Sequence, residues 1–290
     1  MAECIVCRNG SLKPYSDQIW SIWGVNYKLV ACSTCCSIST DPMPSDDVLV
    51  KVYDECFDYR WYQDHYSAKL RDCRERIREY RPHLGNTVLD FGGGVGYLSE
   101  ALKAHGYVSR TYDPFCRRDD QKEGKWDTVI ALHVLEHAND PDRTVMEMRE
   151  LLQPDGGLII AVPNAGGRGY SDLGTQWVWA QPPLLHTLHF TAAGLTSLLK
   201  RHGFTVDDVR YAERWDANLY TDLDKVSFFR MLDQAWGRPH YNRYAIYRKG
   251  CAAVSSFLRF RGLRKAMQSY DPSNADYSEL QVVARLAEKS

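Results

Sequence analysis

The chain has 290 residues, of which 44% are hydrophobic, and a formal net charge of −1 at pH 7. This length suits one large domain with a small one, or two modest domains. The near-zero charge gives no support to nucleic-acid or membrane binding by the chain as a whole. No apolar run approaches the roughly 18 residues that cross a bilayer, and MAECIVCRNG lacks the pattern of a secretory signal. We therefore expect a soluble, cytoplasmic protein without stable membrane insertion.

Residues 1–45 are predicted to form a small unit with a metal site. Cys4 with Cys7 and Cys32 with Cys35 bracket IWSIWGVNYKLVAC, which is typical of β-hairpins. Four thiolates at this spacing suit tetrahedral structural zinc, and a unit of about 40 residues builds too little core to be stable without such help. Free or redox-active thiols are the alternative, as is Cys36 in place of Cys35. The unit is poor in Lys and Arg, so a structural or lid role is favoured over nucleic-acid binding.

Residues 46–84 are predicted to be a helical linker. In YSAKLRDCRERIREYRP the apolar side chains recur at spacings of three and four, which is the period of a helix with one buried face. A proline at position 82 is expected to end this helix.

From residue 85 to residue 290 the pattern changes to strands that alternate with helices. TVLDF, YVSRTYDP, WDTVIALHV, GLIIAVPN, TVDDVRYAE and the final SELQVVARLAEK are predicted strands. Such alternation predicts a doubly wound, mostly parallel sheet with helices on both faces, a Rossmann-like fold. The family resemblance described below implies seven strands in this sheet. Residues 213–276 carry no strand signal and are predicted to be a helical insertion before the last strand.

The stretch VLDFGGGVGYLSEAL contains a glycine-rich turn between a strand and a helix. Asp90 ends the strand, and Gly92, Gly94 and Gly96 follow it. Glycines let the backbone approach a ligand closely, and the amides of the following helix point at the bound group. No GK[ST] follows, which excludes a phosphate loop, and the dinucleotide pattern fits only loosely. Asp90 suits a cationic partner such as an ammonium group. The alternative is a tight turn with no ligand.

A second acid narrows the choice of ligand. Asp113 ends the next strand, 23 residues after Asp90, and in doubly wound folds this position reaches ribose hydroxyls. A ligand with an ammonium group and a ribose but no phosphate is S-adenosylmethionine.

These motifs, in this order, resemble class I S-adenosylmethionine-dependent methyltransferases. VLDFGGGVG, YDP, WDTVIALHVLEH and HTLHFTAAGLTSLLKRHGF carry the resemblance over about residues 85–212. The branch with ubiquinone-biosynthesis O-methyltransferases and small-molecule or sugar methyltransferases is the most similar. The resemblance implies that Gly92, Gly94 and Gly96 line the amino-acid part of the cofactor, that Asp90 lies beneath it, and that Asp113 holds the ribose.

The same resemblance extends to further positions. ALHV, which includes His133, would pass the methionine part of the cofactor. The N-terminal unit looks like the zinc ribbons that precede some natural-product and deoxysugar C-methyltransferases. One departure concerns the adenine: only twelve residues separate Asp113 from Trp126. Asp119 or Asp120 in RRDDQKEGK could lie near the adenine, but their position is not predicted.

Methyl transfer to a hydroxyl or a carbon acid also requires the removal of a proton, and histidine is the usual base near neutral pH. His133 lies at the carboxyl end of a predicted strand, where ligands bind in open α/β sheets. His186 and His189 follow the aromatic loop TQWVWAQPP on the same side, so one of them is the second candidate. These two could instead pack against the next helix, whose N-cap is predicted to be Thr191. His137 is predicted to be structural, together with Glu136.

Two tryptophans in that loop, Trp177 and Trp179, could stack on a ring-shaped acceptor or pack on the core. The predicted insertion has eight basic residues and no acid from residue 234 to residue 270. This basic segment could meet a phosphorylated or nucleotide-linked acceptor, RNA or an anionic membrane surface, or it could be a solvated face. Its basic residues are Arg238, Arg243, Arg248, Lys249, Arg259, Arg261, Arg264 and Lys265.

The sequence thus predicts a small-molecule methyltransferase with S-adenosylmethionine and zinc as its cofactors. O-methylation of a sugar or another hydroxylated metabolite is the first expectation. C-methylation of a nucleotide-linked keto sugar, RNA modification and a non-catalytic binding module are the alternatives. The sequence predicts neither the acceptor nor the oligomeric state.

Overall fold

A computed structural model describes residues 3–56, 66–114, 124–177, 179–180, 182–212 and 271–287. Asp119, Asp120 and the basic segment lie outside these ranges, as does the predicted insertion except for residues 271–276. No helix in the described ranges is long and apolar enough to cross a bilayer.

A small antiparallel sheet forms the N-terminal part of the chain. Its order is β1-β3-β4-β9, with β2 paired to β3. The hairpin strands predicted between the two cysteine pairs are therefore present. The strands are β1 (Leu12–Pro14), β2 (Trp20–Ile22), β3 (Val25–Cys32), β4 (Ile38–Asp41) and β9 (Leu188–His189).

The larger sheet has six strands in the order β10-β11-β8-β7-β5-β6. The β6-β5-β7-β8 part is parallel, and β11 is antiparallel to both of its neighbours. The strands are β5 (Thr87–Phe91), β6 (Val108–Tyr112), β7 (Trp126–Leu132), β8 (Leu152–Pro163), β10 (Phe204–Ala212) and β11 (Glu279–Leu286).

The described part of this sheet therefore differs from the seven strands that the sequence predicts. The chain passes from β6 to β7 through residues 113–125 alone. Of these, residues 115–123 lie outside the described ranges.

Six α-helices accompany the two sheets in the described ranges. Two of these helices occupy the predicted linker. The helix Pro141–Glu150 begins at a side-chain cap, where Asp140 Oδ1 accepts a hydrogen bond from Arg143 N. The helix Ala192–Arg201 begins at the predicted N-cap Thr191, whose Oγ1 accepts a hydrogen bond from Gly194 N. The helices are α1 (Asp46–Cys56), α2 (Tyr66–Tyr80), α3 (Tyr97–Ala104), α4 (Pro141–Glu150), α5 (Arg168–Leu173) and α6 (Ala192–Arg201).

The N-terminal sheet is joined to the rest of the chain by backbone pairing. In β4, Ile38 pairs with His189 and Ser39 with Leu188 of β9. Thr191 Oγ1 also donates to the carbonyl oxygen of Cys35, at 2.5 Å. The cap of α6 and the second cysteine pair are therefore in direct contact. The boundary near residue 45 stays a prediction, because the small sheet contains a strand from far downstream.

Candidate functional site

The glycine-rich turn follows β5 and leads into α3. Gly92, Gly94 and Gly96 have φ angles of 69°, 56° and 88°, which side-chain-bearing residues rarely adopt. Gly93, which the sequence motif does not single out, has the tightest surroundings of the turn. A Cβ atom on Gly93 would lie 2.1 Å from Asp90 Oδ2. The backbone of the turn therefore lies directly against the Asp90 carboxyl group.

Asp90 is a buried acid with an unsatisfied oxygen. Its side chain is at the carboxyl end of β5, 2% exposed, and Oδ2 has no hydrogen-bond partner among the described residues. Burial, with a contribution from the charge of Asp113, raises the pKa of Asp90 to about 7. A cationic hydrogen-bond donor above the turn would satisfy this oxygen and favour the ionised acid. The residues therefore fit an ammonium group at this position.

Asp113 lies beside the same turn, as expected for strands that end at one edge of a parallel sheet. Asp113 Oδ2 accepts a hydrogen bond from Gly94 N at 2.8 Å. The neighbouring Gly92 N donates to the carbonyl of Tyr112 at 2.7 Å. The structure thus brings together the two acids and the glycines that the sequence singles out.

His133 follows β7 and is held between two carboxylates. Its Nδ1 lies 3.2 Å from Glu136 Oε1, and its Nε2 lies 2.9 Å from Glu279 Oε2. Burial opposes the charged ring, but these two hydrogen bonds prevail and raise the pKa of His133. The side chain is 28% exposed and its ring packs edge-on against Trp179, with the ring centres 4.8 Å apart. His133 also has a left-handed backbone, with a φ of 55°.

Arg76 and Glu279 complete this cluster, and neither is among the residues that the sequence predicts for the site. Arg76 lies on the buried face of α2, and its guanidinium binds both oxygens of Glu279 at 2.7 and 3.1 Å. Gln281 Nε2 donates to Glu279 Oε1 at 2.7 Å. Each residue has a signal of its own in the sequence, since Arg76 lies between Cys73 and Tyr80 of the apolar face and Glu279 directly precedes the apolar run of β11, but nothing in the sequence pairs the two.

The other three histidines of the sequence prediction, His137, His186 and His189, lie close to one another, beside His133. Ring centres are 4.8 Å apart for His137 and His186, and 6.0 Å apart for His186 and His189. Burial, assisted by the charges of His137 and His189, lowers the pKa of His186 well below its usual value. Burial lowers the pKa of His189 to about 3. His189 Nδ1 is hydrogen-bonded to the hydroxyl of Tyr170.

The two loop tryptophans have different surroundings. Trp177 is buried and packs edge-on against Tyr170, at 5.1 Å between ring centres. Trp179 is half-buried and contacts His133. Trp177 therefore packs in the interior, and Trp179 is the one of the pair with surface left for an acceptor.

The four cysteines of the two CxxC pairs form a cluster. Sγ–Sγ distances are 3.9 Å for Cys4 and Cys35 and 3.6 Å for Cys7 and Cys32, and all four sulfurs lie within 4.8 Å of one another. These cysteines are free thiols, and Cys36 is exposed. Zn–S bonds of about 2.3 Å in a tetrahedron separate sulfurs by about 3.8 Å. The cluster therefore has the dimensions of a tetrathiolate metal site.

Comparison with known proteins indicates the family of the chain. A family profile described as a methyltransferase domain matches residues 62–209. Phosphoethanolamine N-methyltransferase 2 of Haemonchus contortus, solved in complex with S-adenosyl-L-methionine, is 12% identical, with a TM-score of 0.51 over 95% of this chain and 72% of that one. At this identity the likeness concerns the fold alone.

A second solved structure is the 1,6-didemethyltoxoflavin-N1-methyltransferase of Burkholderia thailandensis, with bound 1,6-didemethyltoxoflavin and S-adenosylhomocysteine. It is 15% identical, with a TM-score of 0.48 over 88% of this chain and 97% of that one. A search of curated proteins gave no significant match.

Proposed function

This chain belongs to the S-adenosylmethionine-dependent methyltransferases, and from that premise we propose that it methylates a hydroxyl group of a small molecule. The observation that carries the proposal is the unpartnered Asp90 Oδ2 directly beneath the glycine turn. A buried carboxylate oxygen without a partner costs free energy, and the ammonium group of the cofactor would satisfy it.

We propose that Asp90 binds the methionine ammonium group and that Asp113 binds the ribose hydroxyls. The hydrogen bond from Gly94 N to Asp113 Oδ2 supports this assignment, because it holds the Asp113 carboxylate against the glycine turn. Gly92, Gly94 and Gly96 are proposed to let the turn follow the amino-acid part of the cofactor. When bound, the cofactor supplies an electrophilic methyl group on sulfur.

We propose that the acceptor lies next to Trp179 and His133. Trp179 offers a half-buried aromatic face, and His133 is adjacent in the chain to Val134, whose side chain lies against Gly92 of the glycine turn. Both His133 nitrogens face carboxylates, which supports a role in orienting the acceptor. His186 and His189 are buried with lowered pKa values, which makes them weak bases. The assignment of a histidine as the base stays a prediction.

We propose that residues 1–45 form a ribbon that holds structural zinc through Cys4, Cys7, Cys32 and Cys35. The sulfur separations support this proposal. Hydrogen bonds from Thr34 N and Cys35 N to Cys32 Sγ, at 3.3 and 3.5 Å, support it further, since they would stabilise a thiolate there.

Calorimetric titration of the full chain with S-adenosylmethionine tests the cofactor assignment. We expect one site per chain, lost in Asp90→Asn and kept in Asp127→Asn. Asp127 is a matched control because it lies at the start of β7 and accepts from Thr87 N at 2.9 Å, a bond that an asparagine oxygen can also accept. Absence of binding to the wild type at millimolar ligand would overturn the assignment.

Transfer of a tritiated methyl group tests the acceptor class. Free hydroxylated metabolites, nucleotide-linked sugars and transfer RNA are offered in parallel, and NMR of the product separates O- from C-methylation. Label in the small molecules alone, on oxygen, is the expected result. Label on a carbon atom of a nucleotide-linked sugar would favour the alternative that the N-terminal ribbon suggests. Label in RNA alone, or cofactor binding without turnover of any acceptor, would contradict the proposal.

A further inference from the structure

A second cluster of potential metal ligands lies outside the ribbon. We propose that Glu136, His137 and His186 bind one divalent transition-metal ion, such as Zn²⁺. One carboxylate oxygen and one ring nitrogen from each histidine lie within 4.8 Å of one another. Two imidazoles with one carboxylate form a recurrent ligand set for transition metals. Metal–ligand bonds of about 2.1 Å would bring these atoms to about 3–3.5 Å apart, which small side-chain movements allow.

Glu136 supplies an independent sign that a ligand is bound here. The residue is 1% exposed, and its Oε2 has no hydrogen-bond partner among the described residues, whereas Oε1 is bonded to His133 Nδ1. Such an orphaned oxygen is costly in a protein interior. A metal ion at Oε2 would remove that cost, and His133 would then hold the carboxylate in place from its other oxygen.

Both histidines are held in the form that binds metals. His137 Nδ1 lies 2.5 Å from the carbonyl of Leu185, and His186 Nδ1 lies 2.9 Å from the carbonyl of Trp179. A carbonyl only accepts, so each Nδ1 carries the proton and each Nε2 has its lone pair available. Metal-binding histidines usually donate their second nitrogen to a carbonyl or a carboxylate in this way.

The backbone around the cluster fixes the two segments that supply the ligands. Glu136 and His137 lie in the 3-10 turn Leu135–His137, directly after β7, and His186 precedes β9. The hydroxyl of Thr187 lies 3.1 Å from the carbonyl of Glu136 and 2.6 Å from that of Ala138. The turn and the loop are therefore tied together without a metal, as expected of a preorganised site.

Three protein ligands leave a coordination position of a tetrahedral ion open. An oxygen atom of the acceptor could take this position, where the ion would lower the pKa of its hydroxyl group. This role rests on the proposed function, whereas the binding of the ion does not. With the lower pKa, that hydroxyl group would release its proton to a water molecule of the solvent, and its oxygen would then accept the methyl group without His186 or His189 acting as a base.

Metal content of the full chain after equilibration with Zn²⁺ and removal of excess tests the site. We expect two ions per chain in the wild type and one in Glu136→Gln and in His137→Gln. His105→Gln is the matched control: the ring of His105 also bonds a backbone carbonyl, that of Ala101 at 2.8 Å, but no cluster of metal ligands among the described residues includes it. This variant should keep two ions.

One ion per chain in the wild type, or two in both site variants, would overturn the inference. X-ray absorption of the Co²⁺-loaded wild type is the second measurement, in case a variant does not fold. A nitrogen and oxygen shell in addition to the sulfur shell is expected, and a sulfur shell alone counts against the site. Calorimetry with S-adenosylmethionine on the same samples separates failure of the metal site from failure of the methyltransferase assignment. A protein that lacks the second ion but binds the cofactor contradicts the metal site alone.

Discussion

Arg76 and Glu279 form a buried ion pair across 203 positions of the chain, with Arg76 Nη2 at 2.7 Å from Glu279 Oε2 and side chains that are 4% and 0% exposed. The pair joins α2 to the first residue of β11. Since Glu279 Oε2 also binds His133, the same carboxylate connects the predicted linker helix with the predicted acceptor side of the sheet.

Arg76→Met should destabilise the protein by roughly 3–5 kcal/mol, because it leaves the Glu279 charge buried without its main partner. Urea unfolding measures this free energy. Arg285→Met is the control: Arg285 pairs with Asp207 at 3.2 Å, with side chains 63% and 34% exposed, and exposed pairs contribute less than about 1 kcal/mol. Equal losses of unfolding free energy in the two variants would show that burial does not make the Arg76–Glu279 pair more important for stability than an exposed pair.

Asp90→Asn should lose cofactor binding and yet stabilise the unliganded protein above pH 7. The folded pKa is about 7, against 3.8 without the fold. The stabilisation from a protonated Asp90 is therefore complete below about pH 4 and is lost as the pH rises through 7. At about 1.4 kcal/mol for each pKa unit, the loss is on the order of 4 kcal/mol. The stability difference between the variant and the wild type, measured from pH 4 to pH 8, should increase with pH. A difference that is flat over this range would contradict the burial argument.

Gly93→Ala should reduce cofactor binding by more than tenfold. The φ angle of Gly93 is not left-handed, so the penalty comes from contact alone, since the new Cβ would meet Asp90 Oδ2 at 2.1 Å. The same change at Gly106 has open space around it but a φ of 90°, so it reports backbone strain without this contact. Calorimetry with S-adenosylmethionine should therefore find binding intact in Gly106→Ala.

Cys4→Ser should remove the ribbon metal and lower the melting temperature, because a small sheet depends on its metal for stability. Cys36→Ser should change neither, since Cys36 is exposed and outside the cluster. Metal analysis with differential scanning calorimetry measures both effects. A Cys4→Ser protein with full metal content and an unchanged melting temperature would exclude the tetrathiolate site.

Glu279→Gln should lower the pKa of His133, because it removes one of the two carboxylates that raise it. In the wild type, the stabilisation from protonated His133 is complete below pH 6.5 and is lost as the pH rises through the raised folded pKa. NMR titration of the His133 ring in both proteins measures the shift. A higher pKa in the variant would contradict the arrangement described for this ring.

Much of the fold follows from local patterns. The run TVLDF, the cap at Thr191 and the glycine turn each depend on neighbouring residues, so the sequence predicts them. The acids at the ends of β5 and β6 also come together as predicted, because parallel strands end at one edge of the sheet.

The remaining features depend on contacts between distant parts of the chain. Arg76 meets Glu279 only after α2 has packed against the sheet, and Glu136 meets His186 only after the loop before β9 has folded back. No spacing in the sequence encodes these meetings. The described residues contain six strands of the larger sheet, so they confirm the prediction of seven only in part.

The pairing of β4 with β9 has a consequence for any attempt to shorten this protein. A chain cut at residue 45 would expose the unpaired edge of β9, next to the residues that carry His186 and His189. The N-terminal sheet is therefore not an independent unit that could be exchanged alone between related enzymes. Any transplant would need to carry the loop before β9 with it.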